Sequence, residues 1–385
     1  FRPARLIIPV LIGVIVSGFL LYDNLTQVMF EEVEPGTGSY VWEDANGNGV
    51  TDIADEEEFI EQEGGNYKRI TNTEALGEIE LSWYSLFWFI AAFAMMFLRD
   101  IGYMIRIRVL TENALSWKQS FFVIMVWEFA SALTPGVVGG AAVAMFILNR
   151  EKIPLGRSTA IVLITAMLDN LFYLIMVPLM LIFVGSSDLF PLSGSQTFLG
   201  MDLNIVGVFW VGYGVVFLFF IALLIGIVYH PFALRSMIVR FFSLPFLKRW
   251  KEGARQTGRE IIVTAKEVRV KPRSYWVKAF GATFLSWTGR YLVVNCLIMA
   301  FVTTGLQDHF MIYARQLGMW VIMLISPTPG GSGIAEYAFT GFLEEFIPFG
   351  LVGLMAVLWR LISYYPYLFI GSFILPRWLR GTKKA

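Results

Sequence analysis

Thr134-Pro135-Gly136-Val137-Val138-Gly139-Gly140 and Ser326-Pro327-Thr328-Pro329-Gly330-Gly331-Ser332-Gly333 each interrupt a long apolar segment, the first within 119–149 and the second within 316–343. Proline removes a backbone donor and glycine permits a sharp turn, so a helix breaks and reverses at such a point. Broken backbone is tolerated at membrane depth only where it is buried in protein or lines a cavity. These two interruptions therefore predict re-entrant helical hairpins, provided that the chain is a membrane protein.

Composition supplies that condition. Of 385 residues, 56% are hydrophobic and 16% are charged, and the mean hydropathy is +0.63. A soluble domain carries roughly a quarter charged residues, so this chain has too little polar surface to face water all round. The single cysteine, Cys296, excludes an internal disulfide framework. Two histidines, His230 and His309, stand far apart in the chain and speak against a histidine zinc site or base. Apolar runs long enough to span the bilayer occur near 6–22, 81–98, 158–184, 205–229, 275–302 and 350–375. The first follows Arg2 and Arg5 without a small-residue cleavage site and reads as a retained anchor.

Positive residues stay on the cytoplasmic side. The 23–80 segment holds twelve acidic residues from Glu31 to Glu63 and reads as external. The stretch with Arg99, Arg106, Arg108 and Lys118 reads as internal, as do the basic 231–274 loop and the tail with Arg377, Arg380, Lys383 and Lys384. If segment 119–149 crossed once, Arg150, Lys152 and the basic loop would be exported, so it enters and leaves on the cytoplasmic face. The same parity places both ends of 316–343 outside. The expected architecture is an all-α polytopic membrane protein with about six full spans and two re-entrant hairpins arranged as inverted repeats, each with a Thr-Pro-Gly break. Its expected units are an anchor helix (1–22), an extracytoplasmic acidic loop (23–80), a first repeat (81–184), a connecting span and basic loop (185–274), a second repeat (275–376) and a basic tail (377–385). Both termini are expected in the cytoplasm of a bacterial- or archaeal-type cell.

Inverted repeats with broken helices near the midplane are the architecture of secondary transporters. Half-helices are expected over 140–148 and 334–343, and their N-terminal amides and dipoles favour an anion. Glu128, Asp169, Arg290, Glu336 and Arg360 are the ionisable residues inside apolar segments, and intramembrane charges mark function by default. Arg290 and Arg360 are suited to grip a phosphate. Asp169 and Glu336 are candidates to pair with those arginines, to meet a cationic head group or to carry a proton. With Thr134, Gly136, Thr328, Gly330 and Gly331 from the breaks, these residues form the expected substrate-binding set. Arg315 and Asp308 read as boundary residues.

The stretches Ala132-Leu133-Thr134-Pro135-Gly136 and Pro327-Thr328-Pro329-Gly330-Gly331-Ser332-Gly333-Ile334-Ala335-Glu336, with Arg360 to Tyr364, resemble the flippase-like family that includes the transmembrane domain of lysylphosphatidylglycerol synthase. The resemblance implies movement of a phospholipid or polyprenyl-linked lipid, with Glu336, Arg290 and Arg360 as cavity residues. No soluble aminoacyl-transfer domain follows the last span, so lysyl transfer is not expected. A transporter of a small soluble anion and a membrane enzyme acting on lipid phosphates are the alternatives. The enzyme lacks an evident acidic metal cluster or Ser-His pair within the membrane segments.

Asp44, Asn46, Asn48, Asp52 and Asp55 place oxygen side chains at positions one, three, five, nine and twelve of an EF-hand-type loop, with Gly49 at six and the Val50 carbonyl at seven. This spacing predicts a weak extracellular Ca2+ site, despite Asp at position twelve and Thr51 at eight. Membrane lipids are the expected partners, with anionic head groups along the basic 231–274 loop at roughly 1 kcal/mol per positive residue. Nucleic acid is not among the expected partners.

Overall fold

A computed structural model describes residues 22, 28–45, 51, 56–71, 74, 82–134, 136–185, 189–190, 195–198, 201–244, 251–323, 334–348 and 351–381. Its membrane portion is helical: α1 (Trp83–Leu110), α2 (Trp117–Leu133), α3 (Gly136–Arg150), α4 (Leu155–Val184), α5 (Ile205–Leu224), α6 (Pro231–Phe241), α7 (Lys251–Arg269), α8 (Arg273–Met299), α9 (Leu306–Met323), α10 (Ile334–Leu343), α11 (Val352–Ser363) and α12 (Tyr365–Gly381). Among the described residues, four stretches are long and apolar enough to cross a membrane: Trp83–Leu110, Leu155–Val184, Val206–Tyr229 and Val352–Leu375. The span expected near 275–302 is the continuous 27-residue helix α8, which falls outside that apolar set.

Burial sorts these helices. More than half of the α4 span is covered by protein, whereas α5 exposes Trp210, Val211, Val215 and Leu218. Lipid tails are as apolar as these side chains, so their exposure costs little in a bilayer. Helices α1 and α8 pack closely against each other. A Cβ on Gly102 would lie 2.4 Å from Ser286 Oγ, and one on Gly289 would lie 2.9 Å from the Met95 carbonyl oxygen. Small residues on both helices let the backbones meet, and the Ser286 hydroxyl donates to the Arg99 carbonyl at 3.0 Å.

The 119–149 segment is two helices. A capping box of Ser116 and Gln119 starts α2. Thr134 is extended, at φ −106° and ψ 137°, because Pro135 disfavours the helical region for the residue before it. Helix α3 then begins at Gly136, four residues earlier than expected, so Gly139 and Gly140 lie inside it. Helices α2 and α3 pack together, and a Cβ on Gly140 would lie 2.2 Å from Ser131 Oγ. The 350–375 span is likewise interrupted: α11 ends at Ser363 and α12 starts at Tyr365. Pro366 lacks the N–H that would continue the helical ladder across this point.

The acidic segment contains a four-stranded antiparallel sheet where a loop was expected. Its strands are β1 (Val28–Glu32), β2 (Gly38–Trp42), β3 (Phe59–Gly65) and β4 (Tyr67–Thr71), in the order β1-β4-β2-β3. Phe30 stacks on Phe59 with ring centroids 4.0 Å apart, and Trp42 donates its indole N–H to the buried Glu58 at 2.9 Å. The expected calcium loop connects β2 to β3, and the Glu43 N–H donates to the Glu58 carbonyl at 2.8 Å, pinning its ends. Asp44 is described, whereas Asn46, Asn48, Val50, Asp52 and Asp55 lie outside the described residues. Two further short strands, β5 (Ser195–Phe198) and β6 (Met201–Asn204), pair before α5.

At the basic face, the α7 residue Glu260 accepts the Gly156 N–H at 2.6 Å, so α7 caps the start of α4. Beside it, Glu112 meets Lys271 at 2.6 Å and Arg157 at 2.7 Å. The hydrogen bond from Lys271 is the main reason that the Glu112 carboxyl is held below its ordinary 4.5.

Candidate functional site

Arg99, Tyr103 and Arg106 follow one another at spacings of four and three along α1, so they share a face. Both arginines were expected on the cytoplasmic flank. Helix α1 continues through them to Leu110, and Arg99 is 1% exposed and Arg106 6%. The Tyr103 ring lies between the two guanidiniums, whose carbons stand 4.6 and 4.7 Å from its centroid. Buried guanidiniums require counterions, and α1 itself and four other helices provide them or their supports. Arg99 pairs with Asp100 at 2.9 Å, with Glu128 of α2, and with the Tyr367 hydroxyl of α12 at 2.7 Å. Arg106 pairs with Asp169 of α4 and reaches the Thr283 hydroxyl of α8 at 3.3 Å. The Trp287 indole N–H donates to the same Asp169 at 2.8 Å, and Phe172 stacks on that indole.

Between the two ion pairs is a cavity of about 70 Å³, lined among others by Tyr103, Arg106, Trp127, Glu128, Thr165 and Asp169. Thr165 precedes Asp169 by one helical turn, is 4% exposed, and has a hydroxyl without a hydrogen-bond partner. The Glu128 and Asp169 side chains are each 22% exposed, whereas those of Arg99 and Arg106 are 1% and 7%. The carboxylates thus face the accessible space and the guanidiniums stand behind them. A volume of this size holds a small ion or several waters.

Two of the expected site residues, Glu128 and Asp169, therefore meet at one cavity. Asp169, a candidate to pair with Arg290 or Arg360, instead meets Arg106, because α1 continues as a helix past the end of its apolar run. Arg290 lies over the Trp287 ring, 5.5 Å from its centroid, with no carboxylate partner among the described residues. Arg360 is buried in α11, over Trp359 at 5.1 Å and Tyr364 at 5.0 Å, and does not line the cavity. Thr134 and Gly136 flank the α2–α3 break. There the Thr134 hydroxyl donates to the Ala130 carbonyl at 2.8 Å and the Tyr364 hydroxyl to the Ala132 carbonyl at 2.9 Å. The two helix interruptions are thereby tied to each other. Thr328, Gly330, Gly331 and the Glu336 side chain lie outside the described residues. Arg315, expected near a membrane interface, is buried within the protein, donates to the Phe342 carbonyl at 3.0 Å and meets Glu345 at 2.8 Å. Sequence reading passed over Arg99, Tyr103, Arg106 and Thr165. Their helical spacing beyond residue 98 was the available signal.

Residues 70–371 match the family described as the lysylphosphatidylglycerol synthase TM region. The chain belongs to that family. The match runs from the end of the β-sheet into α12 and contains every residue of the cavity, while β1 to β3 precede it. A UPF0104 membrane protein of Archaeoglobus fulgidus is 26% identical over 279 residues, covering 68% of this chain and 78% of that relative. No solved structure matches this member of the lysylphosphatidylglycerol synthase TM region family.

Proposed function

We propose that this chain is a lipid transporter that moves a phosphate-bearing head group across the bilayer without chemical change to the lipid. The observation that carries this reading is the polar cavity held between α1, α2 and α4 among membrane-length helices, with two ion pairs at its wall. Intramembrane charges are costly and mark a pathway. Arg290 is the phosphate grip in this reading, because Arg99 and Arg106 are committed to carboxylates while Arg290 lies over Trp287 with no carboxylate partner among the described residues. The interrupted segments α2–α3 and α9–α10 act as re-entrant hairpins of two inverted repeats, related by their Thr-Pro-Gly sequences.

The cytoplasmic helices α6 and α7 rest on anionic lipid in this reading. Helix α6 exposes Phe232, Met237 and Phe241 beside Arg240, and α7 exposes Arg255, Arg259 and Lys266. The β2–β3 connection binds Ca2+ and orders the external sheet, remote from transport.

Purified protein in liposomes with fluorescent phosphatidylglycerol tests the main reading. Wild type is expected to make inner-leaflet label accessible to an external quencher, and Arg290→Gln to slow this about tenfold or more, the loss of one charge-assisted contact. Wild-type protein that exposes no label above protein-free liposomes overturns the proposal.

A further inference from the structure

The cavity has unused oxygen ligands. Asp169 receives both Arg106 and the Trp287 indole on Oδ1, and Glu128 receives Arg99 on Oε2. Asp169 Oδ2 and Glu128 Oε1 therefore accept no hydrogen bond from the described residues. The third oxygen is Thr165 Oγ1, buried and without a partner. Leaving a buried hydroxyl unsatisfied costs about 1–3 kcal/mol, so its presence here calls for a ligand. A hydrogen-bond donor from the protein would satisfy any one of these atoms, and none is in place for the three together.

Charge points to the sign of that ligand. Within the hydrogen-bonded cluster two guanidiniums, Arg99 and Arg106, face three carboxylates, Asp100, Glu128 and Asp169. Excess negative charge at low dielectric is expensive, and Arg290 adjoins this cluster only through the face of Trp287. This cavity does not favour an anion, since carboxylates are the exposed partners of each pair; the phosphate contact of the transport reading is Arg290, which is not in the cavity's lining. A single positive charge balances the cluster. Hard cations take oxygen ligands. A divalent ion asks for more anionic ligands than two free carboxylate oxygens, and among the described residues no group of three or more His, Cys, Asp or Glu side chains is placed to hold a metal.

We propose that this cavity binds one sodium-sized alkali-metal cation through Asp169 Oδ2, Glu128 Oε1 and Thr165 Oγ1, with cavity water completing its shell. Its role as the coupling ion rests on the transport reading above; its binding does not. The ion joins α2 to α4, so its arrival or loss changes how the first helix interruption is held against the bundle.

The test is thermal unfolding of the full chain in detergent with a calcium chelator, in NaCl, KCl or choline chloride at equal ionic strength and neutral pH. A saturable upward shift of Tm in NaCl over choline chloride is expected. Thr165→Val removes one neutral ligand oxygen, and weakening of apparent Na+ affinity by about tenfold is expected. Without Na+, the Tm of this variant is expected at or above that of wild type, because an unsatisfied hydroxyl is gone. Asp169→Asn abolishes the Na+ shift if the variant folds, and Thr165→Val carries the test if it does not. No ion-specific shift in wild type, or a shift of equal affinity in Thr165→Val, overturns the proposal. A shift produced by acid and not by NaCl assigns the site to a proton and overturns it also. The readout is independent of lipid movement, so a chain that binds Na+ but moves no lipid loses the transport reading and keeps the cation site.

Discussion

Tyr103 stands between two buried guanidiniums, each of which also holds a carboxylate. Such a cluster stabilises little in total, because desolvation of its charges offsets their attraction, but removing one member is severe. Arg106→Gln leaves Asp169 with the Trp287 indole and no countercharge. A loss of about 3–5 kcal/mol is expected from chemical denaturation in detergent. The double variant Arg106→Gln/Asp169→Asn restores most of it, since the uncompensated charge is then absent. Additive losses in the double variant would show that the two side chains act separately. At this scale the sequence was partly legible. Glu128 and Asp169 stood out as isolated charges in apolar runs, whereas Arg99 and Arg106 were counted as cytoplasmic flank. Hydropathy marks where an apolar run ends, not where the helix ends, and α1 runs on for twelve residues beyond 98.

Among the elements, α1 and α8 carry the site's back wall, and their approach depends on Gly102 and Gly289. A side chain at 289 would press on the backbone of α1 near Met95 and Arg99, which cannot rotate away. Gly289→Leu is expected to cost about 1–3 kcal/mol and to disturb the Arg99 pairs, seen as a lower Tm and faster cleavage by protease in detergent. The same replacement at Gly281, where nothing lies within 4 Å of an added Cβ, is expected to be tolerated. In the four-stranded sheet, Ca2+ is expected to raise the protection of β2 and β3 amides in hydrogen exchange, and Asp52→Ala to abolish that gain. Equal exchange with Ca2+ and with chelator would remove the calcium proposal. The breaks of α2 at Thr134 and of α11 at Tyr364 follow local rules, because proline acts on its immediate neighbours. The four-stranded sheet was less legible: its strands are five to seven residues long and the segment that holds them is acidic, with two Glu each in β1 and β3, so charge outweighed their alternation.

Across the molecule, the basic face is fastened by Glu112 with Lys271 and Arg157, and by Glu260 at the start of α4. The folded-state Glu112 carboxyl lies below its ordinary 4.5, so this fastening stabilises the fold above that pH and fades as pH falls through the folded value. Glu112 is largely exposed, so the effect is expected to stay under about 1 kcal/mol. It is checked by comparing Tm from neutral to acid pH in wild type and Glu112→Gln, whose difference is expected to close below pH 4.5. What the sequence determined by itself is what summed composition and local chain geometry control: residence in the membrane, the positions of its long apolar helices, and the helix break before Pro135. The tertiary structure decided which charge meets which. Asp169 is 63 residues from Arg106, and Glu128 is 29 from Arg99. Such partners are selected by helix packing and by the depth at which each side chain is carried, and neither quantity is written in a local stretch of sequence.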